Sequence, residues 1–395
     1  MLKMYIDCRL QMCYFSPHYL ISSWMDKLES LVEISRYYGK NPAYVIAGGG
    51  NTSYKDSEKL FIKASGISLA SIDKGGFVAM SRGQLKSMED KTYPEDPVKR
   101  EEEVKLDLKH AIISPEHLRP SVETSLHNLI DYAYIIHTHP TIVNAMMCAR
   151  DAEEEVDRRF GNEALFIEYT DPGYILFSKV RDKVRAYVEQ YGSAPKIIFL
   201  QNHGIFVGAD SVEEVKSLYN SIESSIKSGK DLDLPGGRVE EISSESSLVV
   251  ADYYKQKGLI SKAFRTPLSD HFASSRRQYE KISRPFTPDI IVYCKSNYLF
   301  LEKGIKKEEL MGRLEEFESR FSYYPKVLIL EQFGLILIEE DEKSIRTVLE
   351  VFDDMMKISY LSEQFGGPHF MTPEQIAFID NWEVENYRRS VAKKR

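Results

Sequence analysis

"APKIIFLQNHGIFVGADSVEEVKSLYNSIESSIK", residues 194–227, reads as a strand, a tight turn, a second strand and a helix. Four consecutive apolar residues, Ile197 to Leu200, suit a strand buried on both faces. Gly204 permits the turn, and a helix is expected from Asp210, with Glu213 completing a capping box. The same plan recurs in "YPKVLILEQFGLILIEEDEKSIRTVLEVFDDMMK", residues 324–357, shifted by 130 positions without a gap. Pro195, Lys196 and Gly204 match Pro325, Lys326 and Gly334, and the apolar positions coincide. Duplication explains this, and so does a common strand–turn–strand–helix plan met twice. The informative mismatch is His203, which becomes Phe333. If there are two copies, the second has lost a histidine and is structural.

Outward from this unit, the chain has room for two domains, with 395 residues, 43% of them hydrophobic and 28% charged. Its net charge of −8 argues against a broad attraction to nucleic acid or to anionic lipid. Cys8, Cys13, Cys148 and Cys294 form no CxxC pair, so neither a disulfide framework nor a thiolate zinc knuckle is expected, and a reducing cytoplasm fits. No apolar run approaches the roughly 18 residues of a spanning helix. The amino-terminal segment is broken by Asp7, Arg9, Pro17 and His18, unlike a secretory signal.

A helix is expected over about Ser23 to Tyr38, then strand, glycine turn and strand in "AYVIAGGGNTSYKD". "EDPVKREEEVKLDLKHAII" suits an exposed helix capped by Asp96 with Pro97 at its first position. "SGKDLDLPGGRVEEISSESS" mixes Pro, Gly, Ser and charge as linkers do. The expected division is an extension over 1–24, a first domain over 25–230, a linker over 231–247 and a smaller α/β domain over 248–395. The last is a candidate degenerate repeat without metal ligands.

Chemistry first shows in "YAYIIHTHPT", residues 132–141. In a strand, residues i and i+2 face the same way, so His137 and His139 project from one face with Ile135, while Thr138 faces the other. Two such imidazoles suit a shared divalent cation; each also suits a hydrogen-bonded histidine at a strand end. His203, at the turn of "QNHGIF", adds a third donor, and three histidines with an open fourth position are how a catalytic zinc site is built. "AGGGNTS" (47–53) offers backbone amides to an anion, with Asn51 and Ser53 as side-chain donors. No Gly-Lys-Ser/Thr follows it and it is not GxGxxG, so Walker and Rossmann readings fail. "KASG" adds Lys63, Ser65 and Gly66; both stretches also read as plain hairpin turns. Glu123, in "RPSVETSLH", suits the start of a helix near Ser121. It also suits a general base, if burial raises its pKa toward neutrality.

In this order, "GNTS", "ASG", "PSVETSLH", "HTHP" and "NHG" resemble the class II aldolase/adducin family of metal-dependent sugar-phosphate aldolases. The resemblance covers roughly residues 25–230. It is nearest the aldolase portion of the bifunctional rhamnulose-1-phosphate aldolase/short-chain dehydrogenase proteins. No TGxxxGxG fingerprint occurs, so no dehydrogenase activity is expected. The resemblance implies a three-layer α/β/α domain on a largely antiparallel sheet. It places zinc, or another divalent transition metal, on His137, His139 and His203, with Glu123 as acid/base. It places the substrate phosphate on Gly50, Asn51, Ser65, Gly66 and Ser121. Val122 departs from the pattern, standing where many members carry a second hydroxyl. The family's tyrosine from a neighbouring subunit has no unique match among 24 tyrosines.

The implied activity is that of a class II aldehyde-lyase. A ketose 1-phosphate, such as rhamnulose or fuculose 1-phosphate, is cleaved reversibly to dihydroxyacetone phosphate and an aldehyde through a zinc-stabilised enediolate. Competing readings are an epimerase or dehydratase on the same site, and a non-catalytic adducin-like binding protein. The expected partners are a small sugar phosphate and further copies of the chain in a homo-oligomer, without nucleic acid or membrane.

Overall fold

The computed structural model describes residues 17–381. Residues 1–16 of the expected extension lie outside the described residues, and the first helix, Pro17–Gly39, begins earlier than Ser23. Eight strands follow: β1 (Asn51–Lys55), β2 (Lys59–Lys63), β3 (Phe77–Ser81), β4 (Ile112–Ser114), β5 (Tyr134–Thr138), β6 (Ala164–Ile167), β7 (Ile197–Leu200) and β8 (Gly204–Ala209). They form one sheet in the order β4-β3-β2-β1-β5-β8-β7-β6, antiparallel except between β6 and β7. Alternation along β5 decides what each face packs. Tyr134 and Ile136 join a core with Leu31, Ile34 and Tyr219, whereas Ile135 joins Leu126, Leu176 and Val180 on the opposite face. Helices therefore cover both sides, giving the expected α/β/α layers.

Two local expectations shift. Helix Val212–Lys227 takes Ser211 as its N-cap, accepting from Glu214 N at 3.2 Å. Asp210 is drawn away instead, accepting from Ala133 N at 3.1 Å where β5 begins. The charged helix, Pro97–His110, is capped as expected, with Asp96 accepting from Lys99 N at 2.9 Å.

A second sheet holds β9 (Glu240–Ile242), β10 (Ile260–Arg265), β11 (Leu299–Leu301), β12 (Val327–Leu330) and β13 (Gly334–Glu339), ordered β11-β12-β13-β10-β9. The segment expected as linker thus supplies an edge strand, because Ile242 pairs with Ala263. The order and pairing senses of this sheet equal those of β6-β7-β8-β5-β1. Register agrees too: Ile135 faces Gly208 as Ser261 faces Ile338, and His137 faces Phe206 as Ala263 faces Ile336. Asn202 and Gln332 both sit at positive φ, 54° and 56°. Asn202 N reaches Met147 O, and Gln332 N reaches Ala273 O, in the matching places.

The two sheets' units are packed together. Helix Glu342–Ser362 lies on helix Thr141–Met147, and the Thr141 hydroxyl donates to Asp354. Cys148 enters the second unit's core, and Ala149 bridges to Pro368.

Candidate metal centre

β5 ends in the centre of the first sheet, flanked by β1 and β8, and this places the histidines. His137 pairs with Asn51 on one side and Phe206 on the other, and its ring stacks on Phe206 at 4.1 Å. His139 follows just beyond the strand, its amide bonded to Tyr44 O. His203 sits in the β7–β8 turn, which folds over because Gly204 has no Cβ: one there would lie 2.5 Å from Thr138 O and 2.7 Å from His139 Cδ2. Ring centroids are 4.8 Å apart for His137–His139, 5.0 Å for His137–His203 and 5.2 Å for His139–His203. One nitrogen from each lies within 4.8 Å of those of the others.

Proton bookkeeping on these rings follows from their partners. His137 Nδ1 lies 2.9 Å from Ile205 O, a pure acceptor, so Nδ1 carries the hydrogen and Nε2 a lone pair. His139 Nδ1 lies 2.7 Å from the Asp289 carboxylate, which imposes the same tautomer. The two Nε2 atoms face one another at 3.0 Å, a contact that a proton on one of them or a shared cation satisfies. Glu123 Oε1 joins them, 3.4 Å from His137 Nε2 and 3.6 Å from His203 Nε2, buried and without a hydrogen-bond partner. A cation between them would satisfy these converging nitrogen and oxygen atoms together. Two ligands at about 2.0–2.1 Å in a tetrahedral site lie roughly 3.3 Å apart, close to the 3.0 Å between the His137 and His139 Nε2 atoms.

Glu123 is the N-cap residue of helix Thr124–Leu129, and its amide donates to Ser121 Oγ at 3.3 Å. Burial raises its carboxyl pKa, but the imidazoles of His137 and His203 and the amide of Asn51 pull it down to about 2. The rise toward neutrality considered from the sequence is therefore not found; the adjoining imidazoles and the hydrogen bond from Asn51 outweigh desolvation. Burial holds His137 well below the ordinary histidine range, and so neutral. An ionised carboxylate beside three converging imidazoles suits a divalent cation.

Glu123 Oε2 accepts from Asn51 Nδ2 at 2.6 Å. Asn51 Oδ1 in turn faces His127 Nε2, and His127 Nδ1 meets Ser53 Oγ at 2.7 Å. Burial drives His127 down to about 3, so its ring is neutral and its Nε2–H fixes which way Asn51 points. Sequence reasoning passed over His127, although its spacing of four from Glu123 on one helix was a usable signal.

The other expected residues lie on the turns that flank β1, β2 and the Glu123 helix. Gly50, at φ 68°, packs on the His137 carbonyl. An Ala64–Pro120 bridge and the Ser121 N to Lys63 O bond bring Ser65 and Gly66 beside Ser121. Val122 has turned toward the second unit, against the cluster of Ile291, Met371 and Ile379, which accounts for an apolar residue at that place. A cleft of about 820 Å³ opens beside Glu123, with Lys105, Arg119, Tyr174 and Phe378 on its walls.

The family model for the class II aldolase and adducin N-terminal domain matches residues 29–228. The chain belongs to this family. It is 27% identical over 195 residues to the uncharacterized oxidoreductase YuxG of Bacillus subtilis (strain 168), covering 47% of this chain and 27% of that relative. The chain thus spans about a quarter of that relative's length. Among solved structures, the N-terminal class II aldolase domain of a conserved protein from Thermoplasma acidophilum matches at 22% identity and a TM-score of 0.43, over 57% of this chain and 98% of that one. An L-fuculose-1-phosphate aldolase from Thermus thermophilus matches at 16% identity and a TM-score of 0.32, over 50% of this chain and 92% of that one. No helix among the described residues is long and apolar enough to cross a membrane.

Proposed function

We propose that this class II aldolase family member is a metal-dependent sugar-phosphate aldolase that reversibly cleaves a ketose 1-phosphate. The observation that carries the reading is the unpartnered Glu123 Oε1, held 3.4 Å and 3.6 Å from two inward-facing imidazole nitrogens. His137, His139 and His203 would hold zinc or another divalent transition metal. When bound, such an ion supplies Lewis-acid polarisation of the substrate carbonyl.

The remaining work falls to the chain's own side chains. Glu123 is ionised in the resting site, so its first act is to accept a proton at Oε1, which it returns in the reverse direction. Asn51, itself fixed by His127, keeps Oε2 occupied and Oε1 aimed. Gly50, Asn51, Ser65, Gly66 and Ser121 bind the substrate phosphate through amides and hydroxyls and so orient the carbon chain. The second unit is read as a copy of the first that has lost its own centre: Asn51, His137 and His203 answer to Ile242, Ala263 and Phe333.

The test is metal analysis of the purified chain, followed by incubation with L-rhamnulose 1-phosphate or L-fuculose 1-phosphate. About one bound divalent ion per chain, with formation of dihydroxyacetone phosphate, supports the reading. A bound ion with an isomerised or dehydrated product moves the chain to an epimerase or dehydratase. Less than about 0.1 ion per chain removes the enzyme readings, since one ion per site is required.

A further inference from the structure

We propose that the second unit completes the metal centre of the first, with Asp289 acting as the positioning carboxylate of His139. This rests on the metal site put forward above and assigns a role to a residue far outside the family-matched segment.

Asp289 lies in the first turn of helix Pro288–Cys294, a second-unit element. Its Oδ2 meets His139 Nδ1 at 2.7 Å, both side chains being largely shielded from solvent. A carboxylate on the outer nitrogen fixes the tautomer, aims the inner nitrogen and raises its basicity, which is the usual way a ligating imidazole is held. The glycine run is built around this approach. A Cβ on Gly49 would stand 2.9 Å from Asp289 Oδ2 and 3.1 Å from His139 Nδ1. One turn further along the same helix, Tyr293 OH accepts from Gly48 N at 3.0 Å, and a Cβ on Gly48 would stand 2.8 Å from that oxygen. Two of the three glycines therefore make room for the second unit.

The turn that carries His203 is held from the same side. The neighbouring residue Asn202, at φ 54°, donates through Nδ2 to Phe286 O at 2.9 Å and His369 O at 2.8 Å, and its Oδ1 meets His369 Nδ1 at 2.9 Å. The His137 ring is oriented from the first sheet, through Ile205 O. One ligand ring and the neighbour of a second are thus held by residues beyond position 285, and the unit without ligands serves as the outer wall of the unit that has them.

The experiment compares wild type, Asp289→Ala, Asp289→Asn and Tyr293→Phe as full chains. Zn2+ affinity is measured by competition with a chromogenic chelator, the visible spectrum is recorded with Co2+ bound, and apo stability is followed by urea unfolding. Asp289→Ala is expected to weaken Zn2+ binding about 10–100-fold and to alter the Co2+ spectrum. Asp289→Asn keeps an acceptor but no charge and is expected to lose less. Tyr293→Phe, which loosens the same helix without touching a histidine, is expected to change affinity less than about threefold. Wild-type affinity and spectrum in Asp289→Ala overturn the proposal while leaving the metal site standing. Equal losses in Tyr293→Phe also overturn it, by reducing Asp289 to a docking contact. A wild-type chain that binds neither ion overturns the underlying metal site.

Discussion

Glu123 shows how much a single side chain's surroundings decide. Burial alone would favour its neutral form, yet two imidazoles and one amide reverse the sign and leave it ionised. Substituting Glu123→Gln should leave metal content near wild type and lower turnover by about 10²–10⁴-fold, the usual contribution of a positioned acid/base. Turnover within threefold of wild type would remove Glu123 from the chemistry. Asp354 shows the opposite balance: burial lifts it from 3.8 to about 6 despite the Thr141 hydroxyl. Its folded pKa lies above its unfolded one, so its protonated form is favoured by folding and stability falls as pH rises from about 4 through 6. Asp354→Asn should therefore stabilise the chain at pH 7 by up to about 3 kcal/mol. That advantage should shrink at pH 4.5, as read by urea unfolding at both values; an advantage independent of pH would contradict the assignment. The three histidines were legible because each ends an apolar run at a strand-end spacing. Asp289 was not, because 150 positions separate it from His139 and only docking brings them together.

At the scale of the element, helix Thr124–Leu129 is too short to stand by propensity and relies on its ends. Lys55, buried within β1, donates to His127 O at 2.7 Å and to Ile130 O, carbonyls at the helix's C-terminal end. Burial pushes this lysine well below its usual range. Replacing it with Met strands two buried carbonyls, and a loss of about 2–4 kcal/mol in urea unfolding is expected. A loss under about 0.5 kcal/mol would show that water reaches those carbonyls. Elements were legible where a pattern closes within a few residues, as at the Asp96–Pro97 cap. The cap at Asp210 was misplaced by one residue because Ala133, distant in sequence, claimed its carboxylate. β9 was hidden in a linker-like composition, since three residues pair as a strand only when β10 is beside them.

Across the whole molecule, the repeat seen between 194–227 and 324–357 widens to five strands in matching order and register. Local pattern could expose only the part of it with an unbroken spacing. Because the units share apolar contacts, the His139–Asp289 pair and the Asn202 bonds, calorimetry of the full chain should show one cooperative transition, raised by added Zn2+. Two well-separated transitions would contradict so close a union. Whether three distant histidines share one ion next to Glu123 is read by anomalous scattering from a Zn2+-loaded crystal. A single strong peak is expected about 2.0–2.1 Å from the Nε2 atoms of His137, His139 and His203, on the side facing Glu123. A peak elsewhere, or none while the His137 and His139 Nε2 atoms share a proton instead, would contradict a shared ion.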